Sequence, residues 1–156
     1  MATALKYYPD RTIGGPCVGE IVVDVTLENY LDRRLFELGY LSEDKIRRLA
    51  VQGVVDTCAV MSMLPEEWVN TLGLDELETV SVRYANEESE ERPVAGVATL
   101  TIGGRTMQAE FIVGPPGSEM LIGQLVLERL DLLADCANQT LVPRPESPDR
   151  PLLKLK

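Results

Sequence analysis

The residues best suited to chemistry sit in one short stretch, Val54-Val55-Asp56-Thr57-Cys58-Ala59, followed by Leu64-Pro65. An acid that directly follows a strongly apolar run is delivered to a fixed place by a buried strand. Low-dielectric surroundings there raise a carboxyl pKa unless donors or a partner charge offset the burial. The chain contains no histidine. That removes Ser-His-Asp and Cys-His catalysis and every His-ligated metal site. Catalysis in this chain therefore runs on carboxylates, Lys, Tyr, Ser, Thr or Cys. The plain structural reading of Asp56 is a strand-end acid capping a turn. Asp135 is a rival second carboxylate within the same chain.

The three cysteines, Cys17, Cys58 and Cys136, are odd in number and widely spaced, so they suggest neither a disulfide framework nor a zinc half-site. No metal or cofactor is expected. The formal net charge of −10 opposes a nucleic-acid partner, which needs a basic footprint. No apolar run approaches the roughly 18 residues of a membrane span. The N-terminus lacks a basic region followed by an apolar stretch, so a cytoplasmic home is the expectation.

The elements that must position Asp56 read as strands, in short apolar or alternating runs punctuated by Gly and Pro. Val18 to Leu27 and Ile46 to Val55 are the first two. Glu28 to Lys45 between them is expected as an extended hairpin loop or a short helix. Leu64-Pro65-Glu66-Glu67 starts a helix that Gly73 stops. Thr79 to Tyr84 alternates as a strand, and Ala85 to Arg92 reads as an exposed polar turn. Val94 to Ile102 and Thr106 to Val113 flank the hairpin signal Gly103-Gly104. After the loop Gly114-Pro115-Pro116-Gly117 come a short buried strand at Met120-Leu121-Ile122 and a helix over Gly123 to Leu132. Gly123 is read as permitting tight packing at that helix's start. A last hairpin pairs Leu133–Cys136 with Thr140–Val142. The class is all-β, a barrel with one or two short helices.

The Asp56 segment resembles the active-site motif of the retroviral-type (retropepsin-like) aspartic proteases and their bacterial and cellular relatives. That motif is an apolar pair, Asp-Thr/Ser-Gly-Ala, then Leu-Pro and a short helix ending in Gly-Leu. Here it reads Val54-Val55-Asp56-Thr57-Cys58-Ala59, Leu64-Pro65 and Leu72-Gly73-Leu74. Leu121-Ile122-Gly123, with the following helix, matches the family's apolar-apolar-Gly segment.

The resemblance implies a domain over 18–143. An N-terminal segment, 1–17, precedes it, and a proline-rich tail, 144–156, follows as a possible dimer arm. One Asp-Thr motif is half a site, so a homodimer is implied, with one Asp56 per chain activating a water that hydrolyses an extended peptide substrate. Thr57 would hydrogen-bond across the dimer axis, beside Cys58 and Ala59. The hairpin Val80 to Val97 corresponds to a flap whose tip includes Tyr84, Ala85, Asn86 and Glu87.

Three positions depart from the pattern. Cys58 replaces a glycine that lets the backbone pass close to the carboxylates, so a side chain there is expected to crowd them or to require a disfavoured φ. Val60 stands where relatives carry a small hydroxyl or an acid. Glu87 follows Ala85-Asn86 where relatives have glycine. The alternative implied by Cys58 is a catalytically inactive dimer of the same fold that binds peptide or another partner.

Overall fold

The computed structural model describes residues 19–155. The segment 1–17, with Cys17, lies outside the described residues. Nine strands and three short α-helices follow in order: β1 (Val22–Asn29), α1 (Tyr30–Glu37), β2 (Arg48–Val55), β3 (Met63–Pro65), α2 (Glu66–Leu72), β4 (Asp75–Arg83), β5 (Ser89–Ile102), β6 (Arg105–Gly114), β7 (Leu121–Ile122), α3 (Gln124–Leu130), β8 (Leu132–Asp135) and β9 (Thr140–Pro143). The fold is mostly β.

Seven strands form one sheet in the order β1-β2-β7-β3-β6-β5-β4, and β1 also pairs with β5. The pairings thus close a ring of six strands, from which β4 projects as the outer partner of β5. Closure leaves the ring strands without free edges. A single core fills its interior. Leu27, Leu64, Leu100, Phe111, Ile122 and Leu130 are all fully buried within it. β8 and β9 form a separate hairpin.

Most elements fall where the apolar pattern puts them, with boundaries moved by local chemistry. The first strand begins four residues late, after Gly19 at φ +94°, and runs on to Asn29. Asn29 ends it by capping α1, its side-chain oxygen accepting from Asp32 N–H at 3.0 Å. Of the two expectations for Glu28 to Lys45, the helix forms. Asp32 is 5% exposed, and its carboxylate receives the Arg47 backbone N–H (3.0 Å) and guanidinium (2.8 and 2.9 Å). The Arg47 guanidinium holds Asp32 below the usual carboxylate range. Asn29 also donates to Leu72 O at 2.8 Å, tying α1 to the end of α2. Gly73 ends α2 in the left-handed region, at φ +62°, as expected. A Cβ there would also lie 1.7 Å from the Arg47 guanidinium.

The expected exposed turn at Ala85 to Arg92 is shorter than its composition suggests. Residues 89–92 belong to β5, in register Arg83↔Ser89, Val82↔Glu90 and Val80↔Arg92, and β4 starts already at Asp75. The loop proper is Tyr84 to Glu88. Ion pairing draws the polar residues into the ribbon, since the Glu90 carboxylate accepts from both Tyr84 Oη and Arg92. The Gly103-Gly104 turn forms as expected, both residues having positive φ. The tail beyond β9 returns to its own domain, with Ser147 5% exposed, while Leu153 and Leu155 remain exposed. No helix among the described residues is long and apolar enough to cross a membrane.

Candidate active site

Asp56 is the first residue beyond β2, where three strands meet. β7 lies between β2 and β3, parallel to β2 (Val54↔Leu121, Val55↔Ile122) and antiparallel to β3 (Met63↔Leu121). The Asp56 N–H donates to Ile122 O at 2.9 Å, so the acid is fixed by the sheet's own ladder. Its side chain is half-buried, whereas Thr57 and Cys58 are exposed. Oδ1 accepts from the Cys58 N–H (3.0 Å) and the Ala59 N–H (3.3 Å). Among the described residues nothing donates to Oδ2. Asp56 thus does cap its own turn, and one carboxylate oxygen stays available.

The loop from Asp56 to Ser62 is stapled to the start of α3. Gln124 N–H donates to Ala59 O at 2.7 Å, and Leu125 N–H to Val60 O at 3.1 Å. Gly123 N–H donates to the buried Ser62 Oγ at 2.9 Å. The fit leaves no room for a side chain at 123. A Cβ there would lie 2.6 Å from Met61 C, 2.7 Å from Met61 O and 2.9 Å from Val60 O, all backbone. The expected close packing at Gly123 is therefore packing against the acid's own loop. Ser62 carried no signal in the sequence, because a buried Ser whose hydroxyl accepts one backbone N–H looks like any loop serine.

Cys58 does not adopt a positive φ, so the expected backbone strain at this position is absent. Its thiol is free and exposed. Glu87, by contrast, does occupy the left-handed region, at φ +67°. This is the position where the resembled family has glycine. Asn86 stabilises the turn, its Oδ1 accepting from Glu88 N–H at 3.1 Å. Below it, the Tyr84 hydroxyl and then the Arg92 guanidinium hold Glu90 below the usual carboxylate range. Val80, Val82 and Arg92 are partly covered while Ser81, Arg83 and Glu91 are exposed. One face of the ribbon is therefore partly covered at Val80, Val82 and Arg92, while Tyr84 and Glu90, which bond to one another at its end, are exposed.

Asp135 is not brought to Asp56 by any hydrogen bond. It closes the β8–β9 hairpin, accepting from Ala137 N–H (3.0 Å), Asn138 N–H (3.1 Å) and Asn138 Nδ2 (2.7 Å). The Asn138 side chain, first of these donors, lowers its pKa. Among the described residues no group of three or more His, Cys, Asp or Glu is placed to hold a metal ion. A groove of about 400 Å³, lined by Met61, Val97, Met107 and Leu125 among others, includes neither Asp56 nor the Tyr84–Glu88 loop.

The sequence profile of the aspartyl protease family matches residues 45–126, a span that contains both the Asp56 loop and Gly123. The chain belongs to the aspartyl protease family. The structure of the retroviral protease-like domain of Ddi1 from Leishmania major is similar, with a TM-score of 0.52 at 16% identity, over 88% of this chain and 96% of that one. This likeness shows the retropepsin-like fold. A retropepsin-like aspartic protease from Rickettsia conorii matches at 18% identity and a TM-score of 0.43, over 75% of this chain and 85% of that one. No curated protein matches the chain.

Proposed function

We propose that this aspartyl protease family member is an endopeptidase active as a homodimer, with Asp56 of each chain as the catalytic carboxylate. The observation that carries the reading is the seat of Asp56. It is fixed at the junction of β2 and β7, and one of its carboxylate oxygens has no donor among the described residues. Among the described residues no hydrogen bond joins a second acid to Asp56, and in this reading the second carboxylate comes from a second copy. Val60 is 67% exposed and Leu125 53% exposed. Joined by a backbone hydrogen bond, they form an apolar pair beside the acid that association would cover.

In this reading the two Asp56 carboxyls share one proton, because two adjacent like charges cannot both ionise easily. The ionised member takes a proton from a water that attacks the scissile carbonyl, and the protonated member donates to the carbonyl oxygen. Thr57, exposed beside the acid, grips the partner's backbone. Cys58 and Ala59 direct their N–H groups to Oδ1 and hold its orientation. The β4–β5 hairpin is the flap, and Tyr84, Ala85, Asn86 and Glu87 close over a substrate held in a strand-like pose. The protease domain spans 18–143, and the exposed leucines at the end of the tail are available as a dimer arm.

The test is cleavage of a mixed unstructured peptide library between about pH 4 and 7, where a shared-proton pair is catalytically competent. The natural chain is compared with Asp56→Asn, each shown by sedimentation to be folded and dimeric. Cleavage by the first and not by the second is expected. A specific observation favours a second reading, a silent peptide-binding dimer. The exposed Cys58 side chain stands where the family's glycine leaves space beside the acids. No cleavage by the natural chain, with activity gained in Cys58→Gly, would replace the first reading by the second.

A further inference from the structure

Helix α3 is held at both ends. Its start carries the Asp56 loop through Gly123, Gln124 and Leu125, as described above. Its end is Asp131, in the left-handed region at φ +59° and 6% exposed. The Asp131 carboxylate accepts three donors from one segment of chain: the Arg144 guanidinium, the Ser147 hydroxyl and the Leu152 N–H (2.9 Å). Arg105, itself buried, completes the junction. It donates to the helix-end carbonyls of Leu130 (2.9 Å) and Asp131 (3.1 Å) and to Ser147 O on the same segment. Segment 144–152 has no strand or helix and contains Pro145, Pro148 and Pro151. Side-chain bonds to Asp131 and Arg105, rather than a backbone ladder, fix its course.

The helix joining the two junctions, Gln124–Leu130, has only seven residues, of which Val126, Leu127 and Leu130 are buried in the core. A helix this short, about 10 Å long, moves as one piece. A shift at Asp131 therefore reaches the bonds at Gln124 and Leu125.

We propose that Asp131 is a positioning residue. It latches the strap 144–152, and through α3 this latch sets the seat of the Asp56 loop, making the tail part of the site's scaffold. The link to catalysis rests on the peptidase reading, but the scaffold claim does not.

The experiment is hydrogen–deuterium exchange on the full chain, read by amide-resolved mass spectrometry for the natural protein, Asp131→Asn and Arg144→Lys. Exchange at Gly123, Gln124 and Leu125 is compared with that at the β5–β6 ladder amides of Leu100 and Phe111, which report global opening. Asp131→Asn is expected to speed exchange at 123–125 about tenfold beyond any change in the ladder, and Arg144→Lys, which keeps a cation, to retain most of the natural chain's protection. Loosening confined to 144–152, with 123–125 tracking the ladder, would overturn the proposal. Should Asp131→Asn fail to fold, Ser147→Ala removes one donor only. A two- to fivefold rise at 123–125, on the order of one weakened contact, then supports the latch, and none refutes it. A peptide-cleavage assay on the same variants is expected to show kcat falling with little change in KM. Because exchange is read without turnover, an inactive natural protein would sink the peptidase reading and leave the latch standing or falling on its own data.

Discussion

Gly123→Ala tests whether the Asp56 loop is held in place by contact with α3. The added Cβ would meet Met61 C at 2.6 Å, Met61 O at 2.7 Å and Val60 O at 2.9 Å. Ordinary contact begins near ~3.5 Å, so the loop must retreat by roughly 0.6 to 0.9 Å. All three atoms are backbone, so no side-chain rotation relieves them. Overpacking of this kind costs about 1–3 kcal/mol. The retreat also stretches the Gln124–Ala59 and Leu125–Val60 bonds, at about 0.5–1.5 kcal/mol each if lost. A total of about 2–6 kcal/mol lowers Tm by roughly 4–24 °C in a domain of this size. The acid moves with its loop, and a displacement approaching 1 Å at a catalytic group costs on the order of a hundredfold in rate. The comparison is Gly53→Ala, whose Cβ would meet only the Ile122 and Met120 side chains, at 2.9 to 3.2 Å. Differential scanning calorimetry of both variants, with cleavage assayed well below each Tm, separates the two effects. If Gly123→Ala melts within about 1 °C of the natural chain, or falls no further than Gly53→Ala, the stapled-loop argument is refuted.

Acid stability follows the Asp131 latch. Its donors, Arg144 foremost, lower the carboxyl pKa in the folded state, so the stability it contributes is present above the unfolded value of about 3.9 and is lost as pH falls below it. Urea midpoints of Asp131→Asn and the natural chain are therefore expected to differ at pH 7 and to draw together progressively as pH falls from about 4 through the much lower folded-state value; a constant gap would contradict this. Glu87→Gly relieves a non-glycine left-handed residue and is expected to stabilise the Tyr84–Glu88 turn by about 1 kcal/mol, seen as slower proteolytic nicking at 84–88; faster nicking would contradict it. If the β4–β5 hairpin closes over substrate as proposed, its acids, Glu87 and Glu88 in the loop and Glu90 and Glu91 at the start of β5, are expected to make basic peptides better substrates than acidic ones at low salt, with the preference shrinking as salt rises. Equal rates on both would remove the flap from substrate selection. Gly73→Ala meets both a left-handed φ and the Arg47 guanidinium at 1.7 Å. It is expected to lower Tm by several degrees, because Arg47 must leave Asp32, and an unchanged Tm would show that Arg47 has another seat.

Strand order along the chain was legible because the ring is built from alternating or continuous apolar runs, such as Val25 and Leu27 in β1 and Leu100 and Ile102 in β5, whose burial follows directly from side-chain type. What the sequence obscured was set by polar contacts between distant residues. Ser89 to Arg92 reads as loop by composition, yet pairs with β4 because Tyr84, Glu90 and Arg92 satisfy one another across the ribbon. The helix after β1 rests on Asn29 and on the Asp32–Arg47 pair, fifteen residues apart. Asp131 had no local signature at all, because its three donors lie 13 to 21 residues downstream in a proline-rich tail. Around Asp56 the motif showed the acid and its glycine-containing counterpart strand, but it could not show that Cys58 fits without left-handed strain.

That last point bears on where the Cys58 question must be asked. Within one chain the substitution costs little. The backbone is unstrained, the N–H still reaches Asp56 Oδ1, and the side chain is exposed. In the proposed dimer, any penalty therefore arises when a second copy brings its own Asp56 and Cys58 against the first. If so, Cys58→Gly leaves the stability of the separated chain almost unchanged and alters the dimer. A glycine that strengthens association and turnover together identifies the thiol as an obstacle at the axis. A glycine that changes neither shows that the two loops meet with room to spare, and that the cysteine is compatible with a working acid pair.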